Sequence, residues 1–170
     1  MMRFRSRVPA FFVAVAAILA LGATVTAGAS AEVLSAPSKD FSIENAAKIL
    51  PEGFERIGND FVYDEGAVII TPAVAAAQAL SCTANYVCLY RNANYTGDRW
   101  QFQDEQWMNL RNWDASDVVS SWKNRQGNCD NATLGWNSTE QGIGSTKSLP
   151  CTGEQASMGG WNDEASSIHG

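Results

Sequence analysis

Between residues 98 and 103 the side chains alternate: Arg99, Gln101 and Gln103 interleave with Trp100 and Phe102. A period of two marks a β-strand with one buried face. Similar short β-prone runs, such as Tyr86-Val87-Cys88-Leu89-Tyr90, recur through residues 80–170 between Asn, Gly and Asp turn residues, and helical periodicity is absent there. This pattern predicts an all-β domain. Upstream the pattern differs. Residues 42–50 read as a short helix, with Ser42 placed to cap it and Pro51-Glu52-Gly53 ending it. Phe61-Val62-Tyr63, the turn Asp64-Glu65-Gly66 and the run from Ala67 to Thr71 then predict a β-hairpin. A helix and one hairpin bury too little apolar surface to stand alone, so this segment either docks on the main domain, is removed as a leader, or stays mobile. Residues 72–79 read as the linker that follows it.

The chain opens with Arg3, Arg5 and Arg7 and then an uncharged run over residues 8–31, apolar at first and later rich in Thr, Gly and Ser. This is the pattern of a secretory signal peptide. Ala29-Ser30-Ala31 supplies small residues for cleavage before Glu32. The solid apolar stretch is shorter than the roughly 20 residues a bilayer span needs. The expected organisation is a signal peptide over 1–31, a leader or pro-segment over 32–79, and one domain over 80–170. A secreted, extracellular protein follows, with no membrane attachment after signal removal.

Composition sharpens the boundary near residue 80, because all six Trp and all four Cys lie beyond it. Removing the three signal arginines leaves nine basic residues against 18 acidic ones, a formal charge of 9 − 18 = −9. Such a surface repels polyanions, and no basic run with interleaved aromatics is present, so nucleic acid is not an expected partner. Cys82, Cys88, Cys129 and Cys151 lie in the exported part, where two disulfides are expected.

A short motif occurs twice. Ser116-Asp117-Val118-Val119-Ser120-Ser121 is echoed by Asn162-Asp163-Glu164-Ala165-Ser166-Ser167 at an offset of 163 − 117 = 46 residues. The same offset carries Tyr90 onto Trp136. One unit present in two copies is the direct reading. Of the three possible disulfide connectivities, Cys82 with Cys88 and Cys129 with Cys151 keeps each pair within one copy.

The first copy opens Tyr90-Arg91-Asn92-Ala93-Asn94-Tyr95-Thr96-Gly97, an aromatic, four residues, a second aromatic, one residue and a Gly. This resembles the βγ-crystallin Greek key, in which that Gly adopts a positive φ that a Cβ would disfavour. The resemblance implies two Greek-key motifs forming one β-sandwich. Cys82 and Cys88, Leu89-Tyr90, the strand from Gly97 to Phe102, Asn109-Leu110-Arg111 and Ser120-Ser121-Trp122 narrow it: together they resemble the secreted, streptomycete-type bacterial metalloproteinase inhibitors. The second copy departs from the pattern, with Gln141 in place of the second aromatic and Ile143 in place of the Gly.

The βγ-crystallin resemblance also implies calcium as a ligand, with each ion drawing on both copies. It assigns Asp163 as a side-chain ligand, Glu164 through its carbonyl and Ser166 through its hydroxyl, with Asp117, Val118 and Ser120 as their counterparts. Ser116 departs from the expected Asn or Asp, and Arg91 stands where calcium-binding relatives often carry a carboxylate. The alternative is that these Ser and Asx side chains satisfy turn backbone groups without metal.

The inhibitor resemblance implies an extracellular protease as partner, met by a monomer through a disulfide-held loop. The 129–151 interval is longer than the tight loop of those inhibitors, and no reactive bond follows from it. The competing reading is a secreted calcium-binding or ligand-binding module without a protease target, in which most Trp residues build the core and one or two, such as Trp107 beside Met108, mark a binding patch. An enzyme is not expected. His169 is the sole histidine and lies beside the terminal Gly170. The adjacent carboxylates of Asp104 and Glu105 fit a solvated turn better than a glycosidase pair.

Overall fold

The computed structural model describes residues 45, 48–73, 78–103, 105–127, 129–137 and 144–170, all within one unit spanning Ala36–Gly170. The expected signal peptide and most of the expected helix over 42–50 lie outside these residues. Asn45, Lys48 and Ile49 are helical, and Leu50 after them is buried.

Eleven strands are described: β1 (Glu55–Ile57), β2 (Asp60–Tyr63), β3 (Val68–Thr71), β4 (Val87–Asn92), β5 (Thr96–Phe102), β6 (Trp107–Asn109), β7 (Ser121–Asn124), β8 (Ala132–Gly135), β9 (Thr146–Leu149), β10 (Glu154–Gln155) and β11 (Ser167–His169). They form two sheets, ordered β1-β2-β3-β5-β4-β7-β10 and β6-β11-β8-β9. The order reveals the repeat. In the first unit β4 pairs with β5 and β7, while the intervening β6 crosses to the other sheet. In the second unit β8 pairs with β9 and β11, while β10 crosses back to lie beside β7. Each unit thus lends one strand to the other's sheet, and two interlocked Greek keys make one βγ-crystallin-like sandwich.

The core forms where the inner faces meet. Val87, Leu89, Trp100 and Phe102 of the first sheet join Ala132, Leu134, Leu149 and Ile168 of the second in one buried cluster. Alternation does not fully decide burial here, because Gln101 is as enclosed as its apolar neighbours. Its Oε1 accepts from the Thr83 amide at 3.1 Å, which compensates its desolvation.

The upstream hairpin is part of this architecture. β2 and β3 flank the turn Asp64–Gly66, and β3 runs antiparallel to β5 with Ile70 opposite Trp100 and Val68 opposite Phe102. Docking is therefore the course the described hairpin takes. A polar chain fastens it: Thr71 Oγ1 donates to Asp60 Oδ1 at 2.6 Å, Arg99 Nη2 donates to Thr71 Oγ1 at 2.7 Å, and Arg99 Nη1 donates to the Ser81 carbonyl. Burial draws the Arg99 guanidinium below its ordinary pKa.

Candidate functional site

Two features converge on chemistry, the paired Asx-Ser motifs and the surface around the second disulfide. In the first motif, the Asp117 amide donates to the Ala165 carbonyl at 2.9 Å, and 46 residues on the Asp163 amide donates to the Val119 carbonyl at 3.1 Å. The side chains reciprocate too. Ser166 Oγ donates to Asp117 Oδ1 at 2.8 Å, and Ser120 Oγ to Asp163 Oδ1 at 3.4 Å. The second oxygen of each carboxylate is held by the preceding residue, Ser116 Oγ at 3.0 Å from Asp117 Oδ2 and Asn162 Nδ2 at 2.7 Å from Asp163 Oδ2. Ser116 therefore does the same donor work as Asn162 despite its departure from the pattern. Both aspartates also sit at positive φ, 59° and 58°.

A cleft of about 240 Å³ at this junction is lined by Arg91, Asn92, Asp117, Val118, Ser120 and Asp163. Arg91 is occupied rather than free: Nε lies 2.6 Å from the buried Asp98 carboxylate, Nη2 lies 3.4 Å from Asp114, and the guanidinium stacks over the Trp100 ring. Its charge is balanced locally. The donor set that the motifs bring together is carboxylate and hydroxyl, all hard oxygen, which is the chemistry calcium takes. The residues fit that ion. Among the described residues no group of three or more His, Cys, Asp or Glu side chains could hold a metal ion, so hydroxyls would have to complete any set built on the Asp117 and Asp163 carboxylates.

The second feature surrounds Cys129–Cys151. The interval between these cysteines was expected as a long, weakly constrained loop, but it contains the β8–β9 hairpin, with Ala132 opposite Leu149 next to the bridge. The disulfide thus staples the base of a hairpin and sets residues 125–127 and 129–131 beside residues 150–153. Asn124, fully enclosed, knots them together: Nδ2 donates to the Asp130 and Leu149 carbonyls, both at 2.9 Å, and Oδ1 accepts from the Gln126 amide at 3.0 Å. Cys151 N donates to Asn131 Oδ1 at 3.1 Å and Arg125 Nη1 to the Thr152 carbonyl at 3.2 Å. Cys129, Asn131, Pro150 and Thr152 remain exposed above this frame. Cys82–Cys88 lies at the same end of the first sheet, with Cys88 opposite Lys123, the residue before Asn124. Sequence reasoning missed Asn124, since a lone Asn at a strand end carries no signal of its own.

Residues 75–135 match the model of peptidase inhibitor family I36. The inhibitor resemblance is thus a family match across the first unit and into β8, reaching both Cys129 and Asn124. Among solved structures, the chain is similar to one from work on the evolution of the eye lens βγ-crystallin domain fold, at 23% identity over 60% of this chain and 94% of that one, with a TM-score of 0.48. It is also similar to the N-terminal domain of protein S, at 17% identity over 49% of this chain and 92% of that one, with a TM-score of 0.39. No curated protein is significantly similar to the chain. The His169 ring packs edge-on against Trp107 at 5.5 Å.

The tryptophans divide unevenly. Trp100, Trp113 and Trp122 are core, and Trp107 is half-buried against His169, so the patch expected at Trp107 and Met108 is not the exposed one. Trp136, the counterpart of the fully enclosed Tyr90, is 51% exposed and packs on Trp161 at 5.9 Å. Tyr90 instead meets Tyr95 at 5.6 Å.

Proposed function

We infer that the protein is a secreted proteinase inhibitor that blocks an extracellular metalloprotease with the surface formed by residues 125–127, 129–131 and 150–153. The observation that carries this reading is the double clamp of Asn124 and the Cys129–Cys151 disulfide on exposed residues, of which Asn124, Cys129 and Asn131 lie within the I36 match and Cys151 beyond it. A segment fixed before docking loses little conformational entropy when it enters a protease cleft. Secretion fits the signal-like opening and both disulfides. Hydrogen–deuterium exchange on the complex with a zinc metalloprotease tests the surface: protection over 125–127, 129–131 and 151–153 supports it, and protection confined to Trp136 and Trp161 refutes it.

The crossed Asp and Ser pairs favour a second reading, a calcium-binding module without a protease target. Asp117 with Ser166, and Asp163 with Ser120, would hold the ions, with the Val118 and Glu164 carbonyls as the further ligands. Bound calcium would stabilise the native state by mass action. Equal melting temperatures in millimolar calcium and in chelator would rule this reading out.

A further inference from the structure

A second cleft, of about 170 Å³, lies where the upstream hairpin meets the second sheet. The hairpin supplies Tyr63, Asp64 and Val68, while β6 and the helical turn after it supply Trp107, Met108 and Trp113. Three of these six side chains are aromatic, and they meet other rings at steep angles. Tyr63 packs edge-on against Trp113 at 5.0 Å and 64°, and Trp107 against His169 at 5.5 Å and 63°. Rings crossed in this way wall a corner instead of stacking flat. Trp113 is enclosed, whereas Tyr63 and Trp107 are half-buried, so the corner is open to a small group from outside.

The walls are fixed before any ligand arrives. Tyr86 Oη donates to the Gly66 carbonyl at 2.8 Å, the Gln103 amide to the Ala67 carbonyl at 3.0 Å, and Trp100 Nε1 to the Trp113 carbonyl at 2.7 Å. Charge then selects the ligand. Asp64 lines the cleft, its carboxylate forms no ion pair with a described residue, and acidic residues outnumber basic ones 18 to 12 across the chain. Aromatic rings beside an unpaired carboxylate favour a cation. The lining favours a weakly hydrated one, because Val68, Met108 and the rings offer few acceptors to replace the water that a primary ammonium would lose. A quaternary ammonium carries its charge inside an apolar shell of methyl groups. We propose that this cleft binds a small quaternary ammonium ion of the choline type. Its volume, below that of sites for drug-sized ligands, suits such a group. The site does not rest on the inhibitor reading, and its hairpin residues lie outside the I36 match.

The test uses the full chain and small probes. Choline chloride, titrated while the indole N–H resonances are followed by NMR, shifts those of Trp107 and Trp113 saturably and leaves that of Trp136 in place. Dimethylbutanol, the isostere with carbon in place of the charged nitrogen, and methylammonium, which keeps the charge without the apolar shell, each bind at least about tenfold more weakly. Asp64→Asn weakens choline binding about two- to fivefold. Trp107→Leu, which keeps an apolar wall without the ring, weakens it about fivefold or more, with the unmoved Trp136 resonance reporting a folded chain. Equal binding of choline and dimethylbutanol, equal binding of choline and methylammonium, a shift confined to Trp136 and Trp161, or no shift at all overturns the proposal. The inhibitor reading fails separately: a chain that binds choline yet inhibits no protease keeps the cleft and loses that reading.

Discussion

Ile70 lies opposite Trp100 in adjacent antiparallel strands, and both side chains are enclosed in the same core. Residues upstream of the I36 match therefore contribute to the interior of the domain. Ile70→Ala removes buried methyl groups and is expected to cost about 2–5 kcal/mol in denaturant unfolding. A cost below about 0.5 kcal/mol would show the hairpin to be a dispensable cover.

Gly97, at φ +78°, holds the turn that folds β4 onto β5, and a Cβ there would lie 2.8 Å from Asn92 Nδ2 and 3.1 Å from Arg91 Cβ. Gly97→Ala combines that crowding with left-handed backbone strain. It is expected to destabilise by about 1–3 kcal/mol. A neutral effect in thermal melts would mean that the turn relaxes freely.

Tyr90 presents a pH signature. Burial raises its phenol above the ordinary pKa of 10.0, with Arg99 and Arg125 opposing in part. The unfolded chain then loses this proton first, so from about pH 10 upward the native state binds more protons than the unfolded one, and stability falls as pH rises. Tyr90→Phe flattens the alkaline limb. Because the hydroxyl has no partner, the variant is also expected to gain about 1 kcal/mol at neutral pH. An unchanged alkaline limb would contradict the assignment.

Asn124 links stability to the candidate inhibitory surface. Asn124→Ala strands the Asp130 and Leu149 carbonyls and the Gln126 amide, and is expected to cost about 2–4 kcal/mol, the sum expected for two or three buried hydrogen bonds. At a temperature where the variant remains folded, its inhibition constant rises as well, because the turn must be ordered on docking. An unchanged inhibition constant in a measurably loosened variant would move the active surface elsewhere.

Much of this was readable in the residues. Alternation around Trp100, the Asp64-Glu65-Gly66 turn and the Gly97 signal are local, and local patterns survive into strands and turns. The 46-residue offset foretold more than likeness, since it pairs Asp117 with Ala165 and Asp163 with Val119 in the structure. What escaped was set by distant partners. Arg91 looked like a charge of the wrong sign at a metal site, whereas Asp98 and Asp114 neutralise it across the turn. The 129–151 interval looked loose because β8 and β9 are short and polar on their outer faces. The exposure of Trp136 and the cleft between Tyr63 and Trp107 depend on packing, which no periodicity encodes.

The central claim is that this chain blocks a metalloprotease, and titration of the protein against a zinc endopeptidase of that class tests it most directly. The account predicts that residual activity falls linearly to near zero at about one equivalent when the enzyme is well above the inhibition constant, and that a serine protease measured alongside it separates class from general inhibition. Full metalloprotease activity in a tenfold excess of folded, disulfide-intact protein would contradict it.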